Sequence, residues 1–109
     1  MSNAILLVMT NLPDRASAEA LAAALVDRRV AACVTVMSPC RSVYRWRGAL
    51  ERAEEHPVFA KTASDRFDDL ARIIRELHPY ELPEIIAVRV DAGLPAYLDW
   101  VTAETRPAA

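Results

Sequence analysis

The chain has 109 residues, 53% hydrophobic and 26% charged, with a formal net charge of −2. That suffices for one folded domain over residues 1–109, and the balance is too apolar and too neutral for a disordered chain. Twelve arginines and a single lysine, Lys61, are offset by fifteen acids, which leaves no global field to recruit nucleic acid or anionic lipid.

The apolar run from Ala4 to Met9 ends at Thr10, Asn11, Pro13 and Asp14. It is far short of the roughly 18 residues of a membrane span and too poorly flanked for a signal peptide, so the expected location is the cytoplasm. Two glycines, Gly48 and Gly93, cannot build a phosphate-cradling loop. Cys33 and Cys40 form neither a CxxC motif nor a disulfide framework, and Cys33, within Val30 to Val34, reads as a small core residue.

In chain order, Ile5 to Thr10 is a continuous apolar run bounded by turn residues, which predicts a buried central strand. Asp14 or Ser17 caps a helix running to Arg29, with Leu21 and Leu25 on its apolar face. Residues 32–47 alternate as a second strand, with Val34 and Val36, then Tyr44 and Trp46, on shared parities. Gly48 marks a hairpin turn. The return strand runs from about Leu50 to Thr62, and Pro57 within it implies an edge position or a bulge. Ser64 is expected to cap a helix carrying Phe67, Leu70, Ile74 and Leu77 as its stripe, ended by His78-Pro79. Ile85 to Val90 is a fourth strand, Pro95 opens a last helix to Thr105, and Arg106 to Ala109 is a frayed tail. The order fits an α+β, ferredoxin-like βαββαβ sandwich with a C-terminal helix and a long hairpin between its second and third strands.

Two helices cover only one face of a four-stranded sheet, yet the first and fourth strands are apolar on both parities. The fifteen residues from Cys33 to Arg47 would extend roughly 50 Å, whereas a chain of this length has a radius of gyration near 13 Å. The hairpin must therefore project or bend. The expected solution is a homo-oligomer in which Tyr44, Trp46 and Leu50 pack on a neighbour, against the alternative of a hairpin folded back at Pro39.

The hairpin Tyr44-Arg45-Trp46-Arg47-Gly48, the segment Phe59-Ala60-Lys61-Thr62, the block from His78-Pro79-Tyr80 to Pro83-Glu84-Ile85-Ile86-Ala87, and Tyr97-Leu98-Asp99-Trp100-Val101 carry a resemblance. Over residues 5 to about 101 the chain resembles the CutA family, the divalent-cation tolerance proteins. The resemblance implies a homotrimer, similar in architecture to PII-type signalling proteins, with a role in tolerance to copper and other divalent cations and no enzymatic activity. It also implies a copper site formed by a cysteine at the end of the first strand and two histidines before the Pro-Tyr pair. Those positions here are Thr10 and Leu77-His78, so only His78 remains as a metal ligand and any copper(II) site would be weak.

The candidate binding cleft comprises Lys61, His78, Tyr80 and Glu84, set between subunits. His78, at a helix C-terminus, is either a ligand or a residue hydrogen-bonded to backbone, and the helix dipole there favours its protonated form. Lys61 either meets an anion or pairs with a carboxylate such as Glu84. A PII-like sensor of a small anionic metabolite is the alternative function. Glu51, Glu54, Glu55 and His56 read as a solvated strand edge. An RNA-recognition domain is disfavoured because Pro57-Val58-Phe59-Ala60-Lys61 lacks that module's exposed aromatic pattern.

Overall fold

In the computed structural model, which describes residues 4–107, the elements are β1 (Ile5–Leu12), α1 (Arg15–Asp27), β2 (Cys33–Val36), β3 (Cys40–Trp46), β4 (Ala49–Ala63), a 3-10 turn (Ser64–Arg66), α2 (Phe67–Leu77), β5 (Ile86–Arg89) and α3 (Pro95–Glu104). Adjacent strands are antiparallel in the order β2-β4-β1-β5, with β3 pairing only β4. This is the expected ferredoxin-like α+β sandwich with its C-terminal helix. The single-domain expectation and the frayed tail also involve residues 1–3 and 108–109, which lie outside the described residues.

Strand parity sorts the core. Val8 and Leu12 of β1 and Val58 and Ala60 of β4 point to one face, where they are buried with Leu21 and Leu25 of α1 and Leu70, Ile73 and Ile74 of α2. Residues of the opposite parity, Ile5 and Ala63, are buried instead under Val101 and Leu98 of α3. Asp14 caps α1 by accepting a hydrogen bond from the Ser17 N–H at 2.7 Å. Capping at the first helix therefore follows the sequence, and at the second it does not. Ser64 enters the 3-10 turn, and α2 begins beyond it with no side-chain cap. Ile73, not Leu77, completes the α2 stripe, and Leu77 is 44% exposed.

The segment 32–47 is not one strand. Pairing along β2 matches Val36 with Val58, but along β3 Cys40 matches Glu55, so the β2–β3 side holds one extra residue around Ser38-Pro39. This is a bulge, and it reverses which parity of β3 shares a face with a given residue of β4. Pro57 carries the complementary feature. Its carbonyl accepts the Met37 N–H at 2.8 Å, and its missing N–H falls on the same side, where the ladder is interrupted. β4 itself runs unbroken past Pro57 with neighbours on both sides, so the bulge lies on the facing chain and the edge reading is overturned.

The hairpin projects rather than folding back, giving a molecule 47 Å long and 28 by 23 Å across, with a radius of gyration of 14.5 Å. Arg47 and Gly48, at φ 50° and 84°, form the two-residue tip, as a type I′ hairpin turn requires. At the other end, Arg106 is anchored instead of frayed, with two 2.7 Å contacts to the Asp65 carboxylate. Cys33 is only half-buried and Cys40 is exposed; both are free thiols, set against Lys61 and Glu55 along β4.

Candidate functional site

The face of the sheet away from α1 and α2 is built in cross-strand rows. One row is Cys33, Lys61, Leu7 and Val88, and the next is Thr35, Phe59, Met9 and Ile86. The α3 helix covers the end near Ile5 and Ala63, and its Tyr97 reaches Lys61 in the adjoining row. Ile86 and Val88 stay 51% and 49% exposed.

Beyond these rows the same face deepens into a cleft. Asn11 continues the β1 parity, Glu55 continues that of β4, and the bulge brings Ser42, Tyr44 and Trp46 of β3 onto the same side. The loop from Pro79 to Ile85 forms the opposite wall of this open cleft, whose volume is about 990 Å³. Glu81 on that loop binds Arg47 of the hairpin tip at 2.6 Å, and the Arg47 guanidinium stands 5.3 Å from the Trp46 ring centre.

At the inner end, Glu55 is only 7% exposed and accepts a hydrogen bond from the Tyr80 hydroxyl at 3.2 Å. Burial, together with the Glu55 charge, pushes the Tyr80 hydroxyl up to about 12, so it remains a donor at neutral pH. His78 lies behind Tyr80, with ring centres 4.7 Å apart, and is 8% exposed. Its Nε2 meets the Asn11 carbonyl at 2.6 Å, and its Nδ1 accepts the Tyr80 N–H at 3.1 Å. Those partners fix the neutral tautomer with the proton on Nε2. Burial holds the imidazole below its ordinary value, outweighing the Asn11 carbonyl and the Glu55 charge. The expectation that the helix dipole favours protonation is thereby corrected.

The predicted cleft residues are brought together only in part. Tyr80 and Glu84 line the cavity, and His78 supports it from behind. Lys61 shares the face but lies six residues along β4 from Glu55, about 20 Å at roughly 3.3 Å per residue. It stands 6.0 Å from the Tyr97 ring centre and pairs with no carboxylate among the described residues. Tyr44 and Trp46 line the cleft, whereas Leu50 pairs with Arg45 on the other side of the hairpin. Glu55, expected from the sequence on a solvated strand edge, is instead buried. Its burial depends on the bulge and on Tyr80, and neither is visible in the local alternation of β4.

The residues at the implied copper position do not fit a resident metal. Thr10 is buried with its hydroxyl unpartnered, Leu77 offers no donor, and both His78 nitrogens are engaged. Among the described residues no cluster of three or more His, Cys, Asp or Glu side chains could hold a metal ion.

Fold and site together define a small α+β sandwich with an acidic, aromatic cleft at the base of a projecting hairpin. The family described as CutA1 divalent ion tolerance protein matches residues 6–104, and the chain belongs to that family. The "Divalent-cation tolerance protein CutA" of Thermus thermophilus is 37% identical over 90% of this chain and 95% of its own length. Among solved structures, CutA from Xylella fastidiosa superposes with a TM-score of 0.91 at 40% identity, covering 94% of this chain and 98% of that one. CutA1 from Oryza sativa gives 0.94 at 28% identity, covering 98% of each. No helix among the described residues is long and apolar enough to cross a membrane.

Proposed function

We propose that the protein is a non-enzymatic, cytoplasmic homotrimer that contributes to tolerance of divalent metal ions. Membership of the family supports the metal-tolerance role. The observation that carries the assembly is the open sheet face, where Leu7, Met9, Phe59, Ile86 and Val88 adjoin with no helix of this chain above most of them. An apolar surface of that extent marks an interaction site, and three copies is the number that the family resemblance implies. The non-enzymatic reading is supported by the family names, which describe tolerance of divalent ions and no reaction. Copper(II) held by His78 is not part of this reading, because binding would break a buried hydrogen bond. An anionic metabolite is opposed in the cleft by Glu55 and Glu84, Glu81 being paired with Arg47, and Lys61 of the same chain lies on a distant row.

Light scattering in dilute buffer tests the assembly: the expected mass is three times the 12.1 kDa chain, and a single 12.1 kDa species overturns it. Growth of a host lacking its own copy, challenged with copper, zinc and cobalt salts, tests the role. Expression of this chain should raise the tolerated concentration of at least one salt, and unchanged growth in all three counts against it.

A further inference from the structure

Two charged groups on the open face lack the partner that their surroundings call for. Glu55 is more than nine-tenths buried, receives one hydrogen bond, from Tyr80, and enters no ion pair among the described residues. Lys61 is half-buried in the row of Leu7 and Val88, and it too pairs with no carboxylate among the described residues. By strand parity Lys61 is the one cation, and Glu55 the one buried anion, that the described strands turn to this face. Six residues of extended β4 hold them about 20 Å apart, so they cannot meet within one chain. Covering the face with a second copy withdraws water from Lys61, and an ammonium buried without an acceptor is costly. A buried carboxylate without a cation carries the same penalty. We propose that Lys61 of each copy enters the Glu55 cleft of a neighbouring copy, so that every interface of the assembly holds one buried Lys61–Glu55 ion pair.

This pairing rests on the assembly proposed above, and it adds the contact that sets its register. In a closed ring of identical copies each Glu55 receives one Lys61, and neither group is left over. A misaligned arrangement leaves both charges desolvated and unpaired, so the pair selects one arrangement against the others. The other carboxylates near the cleft do not need a cation from outside. Glu81 is already bound to Arg47, and Glu51 and Glu84 are exposed to water. Glu55 alone combines burial with a single donor. The cleft is open and holds about 990 Å³, and Tyr44 and Pro83 on its walls offer apolar surface along which a lysine stem can lie.

Light scattering over a dilution series of the full chain tests the pair. The unmodified chain should assemble, and a 12.1 kDa species at every concentration overturns the assembly and the pair together. With assembly in place, Glu55→Lys and Lys61→Glu should each raise the concentration of half-dissociation by about 30-fold or more, the scale of removing one partner from a buried charge pair. The double reversal, Glu55→Lys with Lys61→Glu, should recover most of that loss, and circular dichroism confirms that each variant folds. Where a reversal does not fold, Glu55→Gln, Lys61→Gln and their double replace the set, and the double should lose no more than the worse single. Single variants that assemble like the unmodified chain, or a double that recovers nothing, overturn the pair while the assembly stands. Rescue of Lys61→Glu by Glu84→Lys instead of Glu55→Lys also overturns it, because the acceptor would then be Glu84.

Discussion

The two faces of one sheet are finished in different ways. On one, α1 and α2 seal Val8, Leu12, Val58 and Ala60 into a continuous core. On the other, α3 covers the end at Ile5 and Ala63, and the apolar rows continue uncovered toward an acidic cleft. The strands supply apolar residues to both faces alike. The first face is therefore an interior that the chain completes alone, and the second is the surface that the proposed assembly would cover. The first should report on folding and the second on association.

The largest effect belongs to the sealed face. Leu70 is fully buried, and Leu70→Ala should lower the unfolding free energy by about 2–5 kcal/mol, read from urea denaturation. Ile86→Asp on the open face should leave the circular dichroism spectrum unchanged and reduce the mass seen by light scattering. An assembled mass that survives Ile86→Asp would break the comparison, since the open face would then not be the interface.

His78 joins the two regions, because it lies under the cleft yet is held as a core residue. His78→Ala leaves the Asn11 carbonyl without its 2.6 Å partner, which should cost about 1–3 kcal/mol. The same variant should give copper(II) titration heats equal to those of the unmodified chain, and a lost binding event would restore His78 as a ligand. The imidazole also sets a pH dependence. Its folded pKa lies below the ordinary 6.5 because burial opposes the charged form, so the unfolded chain binds the extra proton first. Stability from this group is complete above about 6.5 and declines as pH falls below that value toward the folded pKa. Urea midpoints measured across that window should slope less in His78→Gln than in the unmodified chain.

Much of this was legible in the residues. Apolarity on both parities of β1 and β5 announced the open face, and Gly48 announced the hairpin tip. Asp14 was readable as a cap because its geometry is local. The cleft was harder to read, because it depends on register. The extra residue at Ser38-Pro39 turns Tyr44 and Trp46 toward Glu55, and a bulge leaves no periodic mark in a segment whose two halves each alternate correctly. Lys61 and Glu84 both belong to recognisable motifs, which is no measure of their distance in space, and six residues of extended strand keep Lys61 and Glu55 apart. The proline at 57 signalled an irregularity truthfully, but the irregularity fell on the neighbouring strand.

The smallest expected effect concerns the one cover that the chain provides for its open face. Arg106, just beyond α3, holds Asp65 through two contacts of 2.7 Å and donates from Nε to the Thr102 carbonyl at 2.9 Å. Both side chains are largely exposed, so Arg106→Ala should cost only about 0.2–1 kcal/mol, and less in high salt. The guanidinium keeps the Asp65 carboxyl below its ordinary 3.8, so the contribution is present above about that pH and lost as pH falls through the folded value. The difference in urea midpoint between the two proteins should therefore narrow in acid and in salt. A loss several times larger, with Val101 and Leu98 becoming accessible to hydrogen exchange, would mean that α3 depends on this ion pair more than on its burial against Ile5 and Ala63. The covered end would then belong with the surface rather than with the interior.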